Sequence, residues 1–258
     1  MITLTSTAKW TTTLLVLLAL TLTLGCNTQS GGPLSKTFEA HGGLENWRSQ
    51  QSFVYTLDGF PLSEQVAKPT TSTVDLQQRL HRIEGQNFLA GYDGQDGWAL
   101  PNDEAAGLPP RFYTLGSFYF IAMPFVFGDP GTFVEEKGIG TFRGKAYNVY
   151  QITFAKDVGH SSRDEYVAYV DPQTHRLALI HHTVSEKPGV DRVTWTFDQW
   201  QEESGLIIPA KMSFIPGWDP DTTEQGASFT IDNATFSQNR PSPGQFQKPQ
   251  EYQAKADN

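Results

Sequence analysis

The sequence has a single cysteine, few charged residues and a shortage of basic ones. One cysteine among 258 residues cannot form an internal disulfide, so a small disulfide-stapled secreted fold is excluded. The 19 Lys and Arg are outnumbered by 28 Asp and Glu, and the net charge of −9 argues against a nucleic-acid-binding protein, which would carry a basic stripe. Aromatic residues make up 12% of the chain, enough bulk for a hydrophobic core, so wholesale disorder is also excluded.

An apolar run near the amino terminus is too short to cross a membrane. Residues 14–24 read LLVLLALTLTL, whereas a spanning helix needs about 20 apolar residues. With Lys9 before it, this run is typical of a secretory signal. We therefore predict that residues 1–25 are a signal peptide that is removed.

Cys26 follows this run directly, after the small residue Gly25. The arrangement resembles the cleavage box of bacterial lipoproteins, in which the cysteine becomes the mature amino terminus and carries a diacylglyceryl thioether. The resemblance implies that Cys26 is lipidated and anchors the protein in the cell envelope. Because Asn27 rather than Asp follows it, the resemblance favours the outer membrane, facing the periplasm. The alternative is an ordinary signal peptide cleaved near residues 30–32, with an incidental cysteine.

The rest of the chain is predicted to form one tethered domain. Residues 26–33 are short, polar and Gly-containing, as in a flexible tether. Residues 34–236 contain no internal linker and are predicted to be a single domain. Residues 237–258 are polar and rich in Pro and Gln, and we predict a disordered tail.

Apolar periodicity predicts a mainly β protein with a few helices. From Pro33 to Ser49, apolar residues recur at spacings of three and four, which predicts a helix interrupted at Gly42-Gly43. Alternation with a period of two then predicts a series of short strands, among them one from Val74 to Leu80. Turn residues at 93–97 and 171–174 separate strand pairs. Together these patterns predict an antiparallel meander with one apolar and one polar face.

The segment between Arg111 and Asp129 carries no charge and is rich in aromatic residues. Gly116 and Pro124 argue against a continuous membrane helix, so we predict a helix or lid packed on the concave side of the sheet. Aromatic side chains and Met123 would give such a segment soft, adaptable walls around an apolar ligand. The predicted lining residues are Trp98, Phe112, Leu115, Phe118, Phe120, Ile121, Met123, Phe125, Phe127 and Trp195. The alternative is that these side chains fill the interior as core.

Short motifs occur along most of this body. They are AHGGLENW (40–47), YDGQDGW (92–98), GKAYNV (144–149), YVDPQT (169–174) and GLIIP (205–209). In these segments the chain resembles an uncharacterised group of bacterial lipoproteins within the outer-membrane lipoprotein carrier and insertase superfamily. The resemblance implies an incomplete half-barrel made of a twisted antiparallel sheet, with an amino-terminal helix and an apolar helical plug. It also implies a hollow that accepts acyl chains.

One polar loop contains the ingredients of nucleophilic catalysis. Residues 157–164 include Asp157, His160, Ser161 and Asp164. Catalytic groups of this kind converge from distant segments, and the chain has no Gly-x-Ser-x-Gly elbow. We therefore expect a hairpin loop, with a hydrolase as the enzymatic alternative.

The histidines and acidic clusters do not predict a metal site or a cofactor. His181 and His182 are adjacent on a predicted strand and would point to opposite faces. The acidic loop 217–224 does not fit the twelve-residue calcium pattern, so a solvated turn is expected there. His41, before Gly-Gly, is expected to have a structural role at a helix end.

The sequence as a whole predicts a membrane-anchored, monomeric lipoprotein. It would bind a lipid or acyl chain non-covalently, without enzymatic activity. The main alternative is a structural or interaction protein of the same fold whose interior is filled. A connected cavity smaller than about 300 Å³ would favour that alternative.

Overall fold

The computed structural model describes residues 31–59, 69–156, 158, 161–185 and 189–250. Its main feature is a sheet of twelve antiparallel strands in the order β5-β4-β3-β2-β1-β12-β11-β10-β9-β8-β7-β6. The strands are β1 Ser52–Asp58, β2 Thr70–Asp75, β3 Leu80–Glu84, β4 Leu89–Tyr92, β5 Gly97–Leu100, β6 Thr132–Phe142, β7 Lys145–Phe154, β8 Tyr166–Val170, β9 Leu177–Thr183, β10 Arg192–Glu203, β11 Leu206–Pro216 and β12 Ala227–Ser237. The helices are α1 Ser35–Ala40, α2 Leu44–Ser49 and α3 Pro110–Tyr119, with short 3₁₀ helices at Asp103–Ala106, Phe125–Gly128 and Pro243–Phe246.

The sheet is open, because β5 and β6 are its two edges. Strands β1–β5 and β6–β12 form two meanders that join through the pairing of β1 with β12. The connection from β5 to β6 passes across the concave face as α3 and the 3₁₀ helix Phe125–Gly128. The predicted half-barrel with a helical plug is therefore confirmed. Within the described residues, no helix has the length and apolarity needed to cross a membrane.

The main core lies between the concave face and this plug. Ile121, Met123 and Phe125 in the plug are completely buried. Trp47 of α2 stacks on Phe125, with ring centroids 4.7 Å apart and planes at 5°. Residues of β1 that alternate along the strand, such as Phe53, meet the same cluster. The amino-terminal helices and the plug thus share one hydrophobic core with the sheet.

His41 attaches α1 to the sheet. The predicted break occurs here, since Gly42 has φ +96° and a Cβ at that position would lie 2.0 Å from the carbonyl oxygen of Gly205. His41 Nδ1 donates to the carbonyl of Ile207 (2.9 Å), and its Nε2 accepts from the backbone N–H of Leu177 (3.2 Å). Burial lowers the pKa of His41 to about 4. The predicted structural role is confirmed, although the imidazole bonds to two strands rather than to its own helix.

His81 of β3 attaches the plug to the sheet. Its Nδ1 donates to the carbonyl of Thr114 in α3 at 2.7 Å. The side chain is 1% exposed, and burial lowers its pKa to about 4. Both His41 and His81 are therefore uncharged in the folded protein at neutral pH.

The strand predicted from Val74 to Leu80 is wrong. The chain turns over residues 76–79, between β2 and β3. The Asp75 carboxylate accepts hydrogen bonds from the backbone N–H groups of Gln77 (2.9 Å) and Gln78 (2.8 Å). A short acidic side chain that bonds to the following backbone in this way competes with strand pairing, which explains the turn.

The predicted disordered tail is wrong for residues 237–250. Most of these residues are exposed, but the segment is attached to the convex side of the sheet, where Phe246 is 0% exposed. Trp98 Nε1 donates to the carbonyl of Phe246 (3.0 Å), and Arg240 Nε bonds to the buried carboxylate of Asp75 (2.7 Å). The polar composition of the tail predicted disorder, although one aromatic residue, Phe246, is fully buried and attaches the tail to the sheet.

Truncating this anchor tests its contribution to stability. We expect Phe246→Ala to lower the free energy of unfolding by about 3 kcal/mol, because Phe-to-Ala changes in a core remove apolar burial and leave a cavity. Phe133→Ala is the matched control, since Phe133 is 59% exposed. It should change stability by no more than roughly 0.5 kcal/mol. Equal effects of the two variants in urea unfolding would contradict the packing described for the tail.

The buried histidines predict that the protein loses stability in acid. Between pH 6.5 and 4 the unfolded chain protonates His41 and His81, whereas the folded protein, with both pKa values near 4, does not. The free energy of unfolding should therefore fall as pH is lowered, by roughly 1 kcal/mol per histidine between pH 6 and 5. His81→Asn keeps a donor for Thr114 and should reduce this pH dependence. His175→Asn, at a turn position with φ +57° that Asn tolerates, should leave it unchanged.

Candidate functional site

An apolar cavity of about 310 Å³ opens between the beginning of α3 and strands β9–β11. No side chain that lines it carries a carboxylate, ammonium or guanidinium group. The lining residues are Leu108, Phe112, Phe120, His182, Val184, Val190, Val193, Trp195, Phe214, Pro216 and Gly217.

Strand alternation places five of the eleven lining residues. Val193 and Trp195 are two residues apart on β10 and therefore share a face. Val193 pairs with Pro216, and Trp195 pairs with Phe214, across β10 and β11. Neighbouring strands thus bring apolar side chains to one end of the concave face.

Trp195 and His182 form the polar part of the wall. Trp195 Nε1 donates to His182 Nε2 at 3.2 Å, and His182 Nδ1 donates to the carbonyl of Thr183 at 2.6 Å. A carbonyl only accepts, so the imidazole proton lies on Nδ1 and Nε2 is the acceptor. Phe120 stacks on Trp195 with centroids 4.3 Å apart, and Tyr166 stacks on His182 at 4.6 Å. Both imidazole nitrogens are therefore engaged, and both rings are stacked against neighbouring aromatic side chains.

The sequence-predicted lining residues separate into three groups. Phe112, Phe120 and Trp195 line the cavity. The other residues predicted from the plug lie outside its lining, and most of them are buried in the core: Leu115, Phe118, Ile121, Met123, Phe125 and Phe127. Trp98 belongs to a separate cluster with Leu89 and Leu100. Its neighbour Ala99 points into the main core, so Trp98 is on the convex face and does not line the cavity.

Several lining residues were missed by the sequence analysis. Val184, Val190, Val193 and Phe214 come from strands or their connections rather than from the aromatic plug. The alternation that predicted Trp195 to be apolar also puts Val193 on its face, and this signal could have found it. Phe214 joins the lining because it pairs with Trp195 across β10 and β11. No local sequence pattern predicts the register of that pairing.

His181 confirms that the adjacent histidines diverge. Its ring stacks on Trp218 at 3.9 Å, on the convex face, whereas His182 faces the cavity. Burial, followed by the charge of Arg192, lowers the pKa of His181 to about 3. Among the described residues, no group of three His, Cys, Asp or Glu side chains is placed to hold a metal ion.

The two polar loops have structural partners. In the 157–164 loop, Asp157 and His160 lie outside the described residues. Asp164 accepts from the backbone N–H of Ser185 (2.7 Å) and from the hydroxyl of Thr183 (3.2 Å), which joins this loop to the end of β9. In the acidic loop 217–224, Arg143 of the β6–β7 hairpin donates to the backbone carbonyls of Pro220, Thr222 and Glu224. The Asp219 carboxylate accepts from the backbone N–H of Asp221 (3.0 Å), as in a solvated turn. Cys26 also lies outside the described residues, so its lipidation stays a prediction.

Comparison with known proteins gives a partial family match. The model of a family of unknown function, DUF6503, matches residues 110–218. The match covers less than half of the chain and includes every cavity-lining residue except Leu108. None of the curated proteins matches the sequence.

Several solved structures are similar to this chain at low identity. A LolA superfamily protein from Nitrosomonas europaea is 7% identical over 83% of this chain and 96% of its own, with a TM-score of 0.40. A putative outer membrane lipoprotein-sorting protein domain from Vibrio parahaemolyticus is 12% identical over 79% and 93%, with a TM-score of 0.42. A DUF1329 family protein from Desulfovibrio piger is 11% identical over 80% and 94%, with a TM-score of 0.41. The superfamily of the first is the one that the sequence motifs resemble.

Proposed function

We propose that this protein is a membrane-anchored lipoprotein that binds an acyl chain or another uncharged apolar ligand non-covalently. The observation that carries the proposal is the cavity beside Trp195, which is apolar and uncharged over its lining. Cys26 would carry the lipid anchor, and the outer membrane facing the periplasm is the proposed location. The protein would act as a monomer.

The volume of the cavity limits the size of the ligand. A volume of about 310 Å³ accommodates about ten non-hydrogen atoms, if each occupies roughly the 30 Å³ that one water molecule takes in the liquid. Ligand pockets start at about 300 Å³, so this cavity is at the small end of the range. The ligand would enter beside Phe112 rather than lie beneath the whole plug, because the rest of the plug is packed into the core.

Binding without bond chemistry is the proposed mode of action. The one imidazole in the lining, that of His182, uses Nδ1 toward Thr183 and Nε2 toward Trp195. A general base needs a nitrogen free to take a proton from the substrate. We therefore assign His182 to the rigidity of the wall, and the affinity to burial of apolar ligand surface.

A series of primary alcohols tests the length of the ligand. Full-length protein carrying Cys26→Ser, which removes the lipidation site, is titrated with alcohols of six to fourteen carbons against a bound fluorescent apolar probe, 1-aminoanthracene. Affinity should rise by about fourfold per added CH₂, the equivalent of about 0.8 kcal/mol. It should stop rising near ten carbons, where the cavity is full.

A bulky substitution in the lining tests the site. Val190 lies in the connection before β10, is only partly buried and packs against the border of the main core, so Val190→Trp should fill the cavity with little effect on the fold. We expect it to weaken decanol binding at least tenfold. Val167→Trp is the matched control, because Val167 packs against the separate cluster on the convex face. Equal loss in both variants, or no alcohol binding in the parent protein, would favour the filled-interior alternative.

Native mass spectrometry of the same protein tests occupancy in the cell. A co-purified mass that is absent from the Val190→Trp variant would support ligand binding in this cavity. The bare chain mass in repeated preparations would count against a carried lipid.

A further inference from the structure

A second pocket, chemically different from the apolar cavity, lies where α2 meets the β2–β3 turn. It has a volume of about 520 Å³ and is lined by Trp47, Arg48, Leu76, Gln77, Arg79, Asp129, Pro130 and Val158. It shares no lining residue with the apolar cavity. The two pockets can therefore be tested separately.

The charges in this pocket do not cancel. Arg79 Nη2 donates to both carboxylate oxygens of Asp129, each at 2.8 Å. Arg48 is an exposed residue in the last turn of α2, and within the described chain its guanidinium bonds only to the neutral carbonyl of Gly128. Among the lining residues that the structure describes, two guanidinium groups and one carboxylate leave one positive charge, in a protein whose net charge is −9.

The Arg79–Asp129 ion pair is positioned by the backbone at Arg79 and by a contact with the core. Arg79 has a positive φ of 58°, an uncommon conformation for a residue other than glycine, Asn or Asp. Its guanidinium lies 5.5 Å from the centroid of the Phe118 ring in α3. Strained backbone of this kind persists where surrounding structure holds it, and it is concentrated at binding sites. The Arg79–Asp129 ion pair therefore forms one wall of the pocket, and Arg48 lies on the same lining.

Gln77 adds an amide to the lining, and its Nε2 donates to the backbone carbonyls of Arg48 (3.0 Å) and Gln50 (2.8 Å). The remaining lining residues are apolar. Leu76, Pro130, Val158 and the indole of Trp47 form walls beside the guanidinium groups. A group that satisfies both surfaces has an anionic end and a small apolar body. Guanidinium groups bind carboxylate and phosphate oxygens through paired N–H donors.

We propose that this pocket binds an amphiphilic anion, whose carboxylate or phosphate oxygens accept hydrogen bonds from Arg48 while its apolar part contacts Trp47 and Leu76. Asp129 forms an ion pair with Arg79, so one positive charge is left for the ligand. The pocket is therefore suited to an anion with a single negative charge. The site is independent of the proposed acyl-chain cavity. The anion is either a free small molecule or the headgroup of an anionic lipid.

Octanoate is the probe, because it joins a carboxylate to a short apolar chain. Octanol is its uncharged counterpart. Isothermal titration is done at low salt with the full-length Cys26→Ser protein. Arg48→Gln should weaken octanoate binding by about tenfold, as expected for loss of a charge-assisted hydrogen bond, and should leave octanol binding unchanged. Asp129→Asn should strengthen octanoate binding, because it raises the net charge of the pocket. Lys36→Gln removes one exposed charge from α1 and should have no effect.

Two further probes distinguish the source of the anion. Inorganic phosphate that displaces octanoate in an Arg48-dependent way indicates a free anion. Flotation with phosphatidylglycerol vesicles, but not with phosphatidylcholine vesicles, that is lost in Arg48→Gln indicates a lipid headgroup. The proposal is overturned if octanoate binding is the same in the parent, Arg48→Gln and Asp129→Asn proteins, or if none of the three anionic probes binds.

Discussion

An open, curved sheet has a concave apolar face that must be covered, and in this protein the cover is the connection between the two edge strands. β5 ends at Leu100 and β6 begins at Thr132, and the residues between them cross the interior. Burying a large apolar side chain stabilises a protein by about 1.5–3 kcal/mol, so a run of such side chains fixes the plug strongly. The Trp47–Phe125 stack and the His81–Thr114 hydrogen bond then attach it to α2 and to β3.

Much of this architecture could be predicted from the sequence, because the signals are local. Trp195 and its neighbours alternate with polar residues, and Gly42-Gly43 interrupts a helical pattern at the point where the backbone touches Gly205. The failures have a different origin. Asp75 forms a turn through its own side chain, in the middle of an apparently continuous alternation. Phe246 lies in a polar tail, and its backbone carbonyl is bonded by the distant residue Trp98.

The candidate site was harder to predict than the fold. Composition drew attention to the aromatic plug, but it could not separate residues that fill the core, such as Met123, from residues that line space, such as Phe112. That distinction depends on which strands are neighbours and on their register. Val193 lies opposite Pro216 because β10 pairs with β11, a long-range fact. The polar pocket was missed for the same reason, since Arg48, Arg79 and Asp129 are distant in the sequence.

The way the plug is attached limits how the molecule can open. A flap at a chain terminus can swing away on one hinge, whereas this segment enters from one border of the sheet and leaves into the other. Full removal would require pulling on both borders at once and exposing the aromatic core to water. We therefore expect the proposed apolar ligand to enter around the ends of the plug, at the ends of the strands. Entry by displacement of the whole plug is not expected. Under the proposed function, the packed plug sets the volume available to the ligand, and the ligand enters at the rim of the sheet.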